Sequence, residues 1–207
     1  MKLRGLYAIT PELANSELIL RRAALALEGG VAVLQYRGKL SGSEQRMRAA
    51  KSLAAMCRGH GVPFIVNDDV ELALESGADG VHLGREDGHL AAARAKLRGK
   101  LLGASCYDSL SAARAAVAAG ADYVAFGSVF PSSTKPGTVR SPLTLFGEAR
   151  SLGVPLVAIG GITLQNAPQL LEAGADSLAV ISDLFEAPDI AERARAYGKL
   201  FAHDDAQ

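Results

Sequence analysis

The sequence predicts a single-domain α/β protein folded as a (β/α)₈ TIM barrel, and three observations carry that prediction. Short β-rich apolar runs alternate eight times with Ala/Leu/Arg-rich stretches of helical period. One helix-to-strand corner recurs as Gly77-Ala78-Asp79, Gly120-Ala121-Asp122 and Gly174-Ala175-Asp176, with Gly29-Gly30-Val31 as a looser copy. The 207 residues carry no composition break that would mark a second domain. Glycine after a helix adopts the left-handed conformation without a Cβ clash, so a repeated corner of this kind is what a barrel of equivalent units would show. The competing architecture is an open doubly wound sheet. Eight units, and no early Gly-x-Gly-x-x-Gly turn, argue against it.

Strands are expected at 6–9, 33–36, 64–67, 80–83, 102–105, 123–127, 156–159 and 177–181. Helix candidates between them include 17–27, 42–57, 70–75, 109–119, 142–151 and 164–172. One domain spans 1–207, with 203–207 expected as a disordered tail.

Lys+Arg and Asp+Glu balance at 22 each. A chain with no net field has no general attraction to nucleic acid or membrane, so any anion must be held by a local cluster of cations. Two cysteines, Cys57 and Cys106, without metal-type spacing, fit a reducing cytoplasm rather than a disulfide framework. The N-terminal residues lack the apolar core of a signal peptide, and no apolar run is long enough to span a bilayer. A cytoplasmic protein acting on small molecules is expected, and a homo-oligomer stays open.

Barrels of this class place their chemistry at the C-terminal ends of the strands, and polar residues recur there. Strand two ends Gln35-Tyr36-Arg37-Gly38-Lys39. Alternation in an extended segment points Gln35, Arg37 and Lys39 to one side, and an amide with two cations suits a pyrophosphate attached to a polar ring. Strand three ends Asn67-Asp68-Asp69, and strand four runs His82-Leu83-Gly84-Arg85-Glu86-Asp87. Carboxylates from adjacent strand ends suit Mg²⁺, a hard ion that takes oxygen ligands. Asp69 and Glu86 read instead as helix N-cap or first-turn acids, and His82 as a packed core histidine. After strand five, Ser105 can hydrogen-bond a ligand, but no His/Asp pair nearby makes it a nucleophile. Cys106 has no partner that would ionise it.

The loop after strand six, Gly127-Ser128-Val129-Phe130-Pro131-Ser132-Ser133-Thr134-Lys135-Pro136-Gly137, offers hydroxyls and a lysine suited to a phosphate, and 131–140 is the candidate lid. Strands seven and eight end Gly160-Gly161 and Ile181-Ser182. Phosphate-binding barrels commonly hold their ligand with backbone N–H groups at this position.

Taken in order, Leu6 to Thr10, Gln35 to Lys39, Asn67-Asp68-Asp69, Gly80 to Gly84, Glu86-Asp87, Gly127 to Lys135 and Ala158 to Ile162 resemble the thiamine phosphate synthase family over nearly the whole chain. The resemblance implies a transferase that joins 4-amino-2-methyl-5-hydroxymethylpyrimidine pyrophosphate to a thiazole phosphate, carboxylated or tautomeric, and releases pyrophosphate. It implies Gln35, Tyr36, Arg37, Gly38, Lys39, Asn67, Ser105 and Lys135 around the pyrimidine pyrophosphate. It further implies Ser132, Ser133, Thr134, Gly160, Gly161, Ile181 and Ser182 around the thiazole phosphate, and Asp68 and Asp87 on Mg²⁺. Arg37, Lys39, Lys135 and Ser105 would carry the catalytic roles. In the family's mechanism pyrophosphate leaves first, and the thiazole nitrogen captures the resulting cation, so no general base is implied. Three departures stand out: Arg85 where the family often has Gln, Cys106-Tyr107 for Thr-His, and Ser132 for the first Thr of Thr-x-Thr-Lys. The related thiazole tautomerase and a non-catalytic thiamine phosphate-binding protein are the rival readings. A histidine just after the strand-five serine would favour the tautomerase, and the metal-ligand pair argues against the binding protein.

Overall fold

The computed structural model describes residues 3–38, 40, 42–85, 89–131 and 140–204. Eight parallel strands close into a barrel in chain order, with β8 pairing back onto β1. The elements are β1 (Gly5–Ile9), α1 (Ser16–Glu28), β2 (Val33–Tyr36), α2 (Ser43–His60), β3 (Phe64–Asn67) and α3 (Val70–Ser76). They continue as β4 (Gly80–Leu83), α4 (Leu90–Lys96), β5 (Leu101–Tyr107), α5 (Leu110–Ala118), β6 (Tyr123–Phe126) and α6 (Thr144–Ala149), which runs into a 3₁₀ turn (Arg150–Leu152). The chain then forms β7 (Leu156–Ile159), α7 (Ala167–Ala173), β8 (Ser177–Val180), α8 (Ser182–Phe185) and α9 (Ile190–Asp204). The order is the βα alternation that the sequence predicts, with two helices, α8 and α9, after β8.

Small differences have local causes. The helix expected from 164 starts at Ala167, because Asn166 accepts the Thr163 N–H through its side chain (2.8 Å) and holds the preceding residues in a turn. Where a tail is expected from 203, α9 carries on through Asp204. Residues 205–207 lie outside the described residues.

Side chains alternate between two buried layers, as the pleat of a strand requires. Tyr7, Ile9, Val33, Ile65, Tyr123, Ala125, Val157 and Ala179 fill the barrel interior. Leu6, Ala8, Leu34, Tyr36, Val66, Val81, Val124 and Leu178 pack outward against the helices. Alanines dominate the helix faces that meet them, among them Ala23, Ala26, Ala49, Ala50, Ala73, Ala113 and Ala194. Small side chains there let the helices sit close to a short-stranded sheet.

The recurrent Gly-Ala-Asp corner acts at the N-terminal end of the barrel. Each aspartate reaches back to the first residues of the preceding strand, donating its own N–H to one carbonyl and accepting an N–H on its carboxylate. Asp79 does this to Phe64 (2.8 and 2.8 Å), Asp122 to Leu102 (2.8 and 2.7 Å) and Asp176 to Leu156 (2.8 and 2.8 Å). The looser copy keeps the backbone half alone: Ala32 N–H donates to the Leu6 carbonyl at 2.8 Å. The strands are thereby tied in pairs, β1 with β2 through to β7 with β8, with a carboxylate at three of the four ties.

Candidate active site

A cavity of about 800 Å³ opens at the C-terminal end of the barrel. That is the size of an ordinary small-molecule site. Its floor is apolar, made by Ile9, Ala125, Val157, Ile159 and Ala179. Its walls divide by strand. Strands β2 to β5 contribute Gln35, Arg37, Asn67, Asp68, His82, Arg85 and Ser105. Strands β6 to β8 contribute Gly127, Ser128, Gly160, Gly161, Thr163, Ile181 and Ser182.

On the first wall the side chains fix one another. Gln35, 3% exposed, donates through Nε2 to the Asn67 side-chain oxygen at 2.5 Å. Arg37 follows β2; its N–H donates to Thr10 Oγ1 (3.0 Å), and its guanidinium lies 3.3 Å from Glu12. Asp68 stands at the end of β3 with a positive φ of 65°, a conformation that Asp tolerates better than most residues. Its N–H donates to the His82 carbonyl (2.8 Å), which ties the turn to β4. A smaller adjoining cavity, lined by Gly38, Arg46, Asn67, Asp68, Asp69, Val70 and Glu71, meets the main one at Asn67 and Asp68. Asp69 points away from the main cavity: it caps α3 by accepting the Leu72 N–H (2.9 Å) and pairs with Arg46 (2.8 Å). That is the N-cap role its position predicts.

Two of the departures from the family pattern touch each other. The Arg85 guanidinium lies over the Tyr107 ring, 4.8 Å from its centroid, within cation–π range. A cation at this rim therefore has a platform beside it.

Tyr36 departs from the expectation that it meets substrate. Alternation turns it outward, where it packs in the layer between barrel and helices, and among the described residues its buried hydroxyl has no hydrogen-bond partner. Burial raises its pKa. Gly38 lines the smaller cavity, against the Tyr36 hydroxyl, rather than the main one. Lys39, Asp87, Ser132, Ser133, Thr134 and Lys135, together with Glu86, lie outside the described residues.

On the second wall, the loop after β6 is tied to the end of β7 by Val129 N–H to the Ile159 carbonyl (3.0 Å) and Phe130 N–H to the Gly160 carbonyl (3.1 Å). Asn166 donates to the Gly161 carbonyl at 3.0 Å. Ile181 and Ser182 lead into the short helix α8, whose Asp183 accepts from Arg193 (2.7 Å) and Tyr197 (2.8 Å) of α9. Helix α9 thus holds α8 against the cavity. This bracing by Asp183, Arg193 and Tyr197 was not foreseen from the sequence, since the partners lie far from any strand end.

Sequence reasoning also missed a buried chain through the floor. The Tyr7 and Tyr123 hydroxyls are 2.8 Å apart, Tyr123 OH is 3.2 Å from His82 Nδ1, and His82 Nε2 is 2.9 Å from Ser105 Oγ. His82 is the hydrogen-bonded core residue its apolar strand suggests, and it is also the neighbour of Ser105. Burial lowers its pKa to about 4, against the opposing pull of the Asp68 carboxylate. Burial also raises the Tyr7 and Tyr123 pKa values, so both phenols keep their protons. The signal was available in the pattern of alternation, because His82 and Ser105 both occupy inward positions on neighbouring strands. Cys106, turned outward beside Ser105 and buried, has its thiol pushed up to about 12.

The family model described as thiamine monophosphate synthase matches residues 6–184. The chain belongs to the thiamine monophosphate synthase family. Its thiamine-phosphate synthase relative from Aromatoleum aromaticum is 56% identical over 202 residues, covering 97% of each chain. The relative of the same name from Azoarcus sp. is 57% identical over 203 residues, covering 97% of this chain and 98% of its own. A solved thiamine phosphate pyrophosphorylase from Pyrococcus furiosus superposes with a TM-score of 0.86 at 34% identity, over 98% of this chain and 96% of its own. The synthase family's barrel is therefore this chain's fold, and the transferase activity of that family is the frame for the site above. No helix among the described residues is long and apolar enough to cross a membrane.

Proposed function

We propose that this member of the synthase family joins 4-amino-2-methyl-5-hydroxymethylpyrimidine pyrophosphate to a thiazole phosphate at the C-terminal end of its barrel, forming thiamine phosphate and pyrophosphate. The observation that supports it best is the division of one cavity into two unlike walls over an apolar floor. Arg37 and Asp68 on the first wall suit a pyrophosphate with its counter-ion. Glycines and hydroxyls on the second suit a monophosphate, and the floor suits two flat rings.

The reaction breaks the bond between the pyrimidine methylene carbon and its pyrophosphate oxygen, and the bonding pair leaves with pyrophosphate. The thiazole nitrogen then gives its lone pair to the methylene carbon. Separating charge is the costly step, so fixed positive groups beside the departing pyrophosphate lower the barrier. Arg37, held in place by Thr10 and Glu12, serves that role with Lys39 and Lys135. Gln35 and Asn67, locked to each other, orient the pyrimidine. Gly160, Gly161, Ile181 and Ser182, with Ser132, Ser133 and Thr134, hold the thiazole phosphate. Keeping both rings in one cavity supplies proximity.

Asp68 meets the requirement for a hard-cation ligand, since its carboxylate-bearing turn lies where the two cavities join; with Asp87 it would hold Mg²⁺. When bound, that ion supplies positive charge against the pyrophosphate oxygens.

The test is direct. The purified protein is incubated with both substrates and Mg²⁺, and thiamine phosphate and pyrophosphate are quantified. Equimolar appearance of the two products is expected. Isomerisation of a thiazole carboxylate without coupling would assign the tautomerase instead.

A further inference from the structure

The buried chain Tyr7–Tyr123–His82–Ser105 has a direction, and the direction decides what Ser105 can offer a ligand. Tyr7 is 1% exposed, and among the described residues its hydroxyl has one hydrogen-bond partner, Tyr123 OH at 2.8 Å. A buried hydroxyl proton without an acceptor is costly, so Tyr7 donates to Tyr123. The Tyr123 proton is then free for its other neighbour, His82 Nδ1 at 3.2 Å. With Nδ1 accepting, a neutral imidazole carries its proton on Nε2. That N–H donates to Ser105 Oγ at 2.9 Å. Running the chain backwards would leave the Tyr7 proton without a protein acceptor among the described residues, beside Ile9 and Val33 of the interior cluster.

We propose that His82 is a positioning residue that, by donating from Nε2, leaves the Ser105 hydroxyl proton directed into the cavity as a hydrogen-bond donor. Ser105 then favours an acceptor on the ligand, a phosphate oxygen or an aromatic ring nitrogen, as the partner of that proton. The barrel makes room for this chain at Gly103. A Cβ there would lie 2.3 Å from Tyr123 OH and 2.5 Å from His82 Nδ1, so any larger residue would displace the link between them. The ring planes support the same arrangement: His82 and Tyr123 centroids are 5.5 Å apart, and those of Tyr7 and Tyr123 are 6.0 Å apart.

The identity of the acceptor rests on the synthase reading, whereas the direction of the chain does not. Side-chain ¹⁵N–¹H correlation on the labelled, ligand-free protein reads the His82 tautomer, with His82→Gln identifying its signals. Protonated Nε2 with unprotonated Nδ1 is expected. The Nδ1–H tautomer overturns the proposal, whether or not the protein makes thiamine phosphate.

The second arm is kinetic. Ser105→Ala and His82→Phe should each lower kcat by about 100-fold, the scale of one lost transition-state donor, and their combination should cost no more than either alone. His82→Gln, whose amide can donate to Ser105, should recover part of that loss. Losses that multiply in the double variant, or a Gln variant as poor as Phe, overturn the linkage between the two residues. Absence of product in the wild type with the Nε2–H tautomer present would sink the synthase reading and leave the donor assignment standing.

Discussion

The two ends of this barrel put the same residue type in opposite settings. At the start of the strands, Asp79, Asp122 and Asp176 each have a carboxylate oxygen engaged by a backbone N–H of the preceding strand at 2.7–2.8 Å. Asp122 also receives Arg94 at 2.8 Å. At the strand ends, Asp68 lines the main cavity and the one beside it. Asp68 and Asp79 flank the same helix, α3. One follows a strand and faces the cavity; the other precedes the next strand and ties the sheet. An acid's place on this barrel, rather than its identity, decides whether it meets the cavity or ties the sheet.

The comparison can be broken by substitution. Arg37→Ala at the open end should lower kcat by about 10³-fold, as loss of a fixed cation at a developing charge does. Its thermal midpoint should stay close to that of the wild type, because the Glu12 pair it gives up is partly exposed. Steady-state product formation beside a thermal melt measures both. At the closed end, Asp122→Ala should behave in the reverse way. Losing an acceptor for Leu102 N–H and the partner of Arg94 should cost about 2–3 kcal/mol, while the folded fraction keeps its turnover. Urea unfolding curves read the loss.

Smaller effects sharpen the same contrast. Cys106 lies beside Ser105 in sequence, yet its side chain faces the helices, and burial holds its thiol near 12. It should stay protonated and resist alkylation at pH 8 until the protein unfolds, with Cys57, also pushed up to about 12, behaving alike. Rapid modification of the native protein, followed by mass spectrometry, would contradict that placement. The smallest effect is a gain. Ala32 makes the backbone half of the strand tie without a carboxylate, so Ala32→Asp should add up to about 1 kcal/mol by accepting the Leu6 N–H. A loss of stability would show that the space beside Gly5, whose Cβ would lie 2.7 Å from that of Ala32, is too small.

Much of this was legible in the sequence because a barrel repeats one rule. Strand positions came from apolar alternation, and strand ends then named Gln35, Arg37, Asn67, Asp68, Ser105, Gly160, Gly161, Ile181 and Ser182, all of which line the main cavity. Tyr36 fits the same rule from the other side: its neighbours in the motif face inward, so it must face out. The Gly-Ala-Asp corners were recognised as repeats. Their role was not, since a carboxylate that reaches back to the preceding strand is visible only once neighbouring strands are in register. Alternation put His82 and Ser105 on inward positions of neighbouring strands, but the register that brings them within 2.9 Å was not in the pattern. Their contact joins residues on different strands, and its continuation to Tyr123 depends on the gap that Gly103 leaves beside His82 Nδ1 and Tyr123 OH. The Asp183–Arg193–Tyr197 brace joins two helices whose packing no local pattern encodes.

Asp68 is proposed to serve the reaction, and Asp79 ties the sheet. Thiamine phosphate formation should therefore be titrated with Mg²⁺ in the wild type, Asp68→Ala and Asp79→Ala, with each protein's folded fraction measured in parallel. Asp68→Ala should fold as the wild type does, yet lose turnover by about 10³-fold and respond only at much higher Mg²⁺. Asp79→Ala should lose stability and keep both its turnover and its Mg²⁺ response per folded molecule. Normal turnover and Mg²⁺ response in Asp68→Ala, or a changed Mg²⁺ response in Asp79→Ala, would contradict the account.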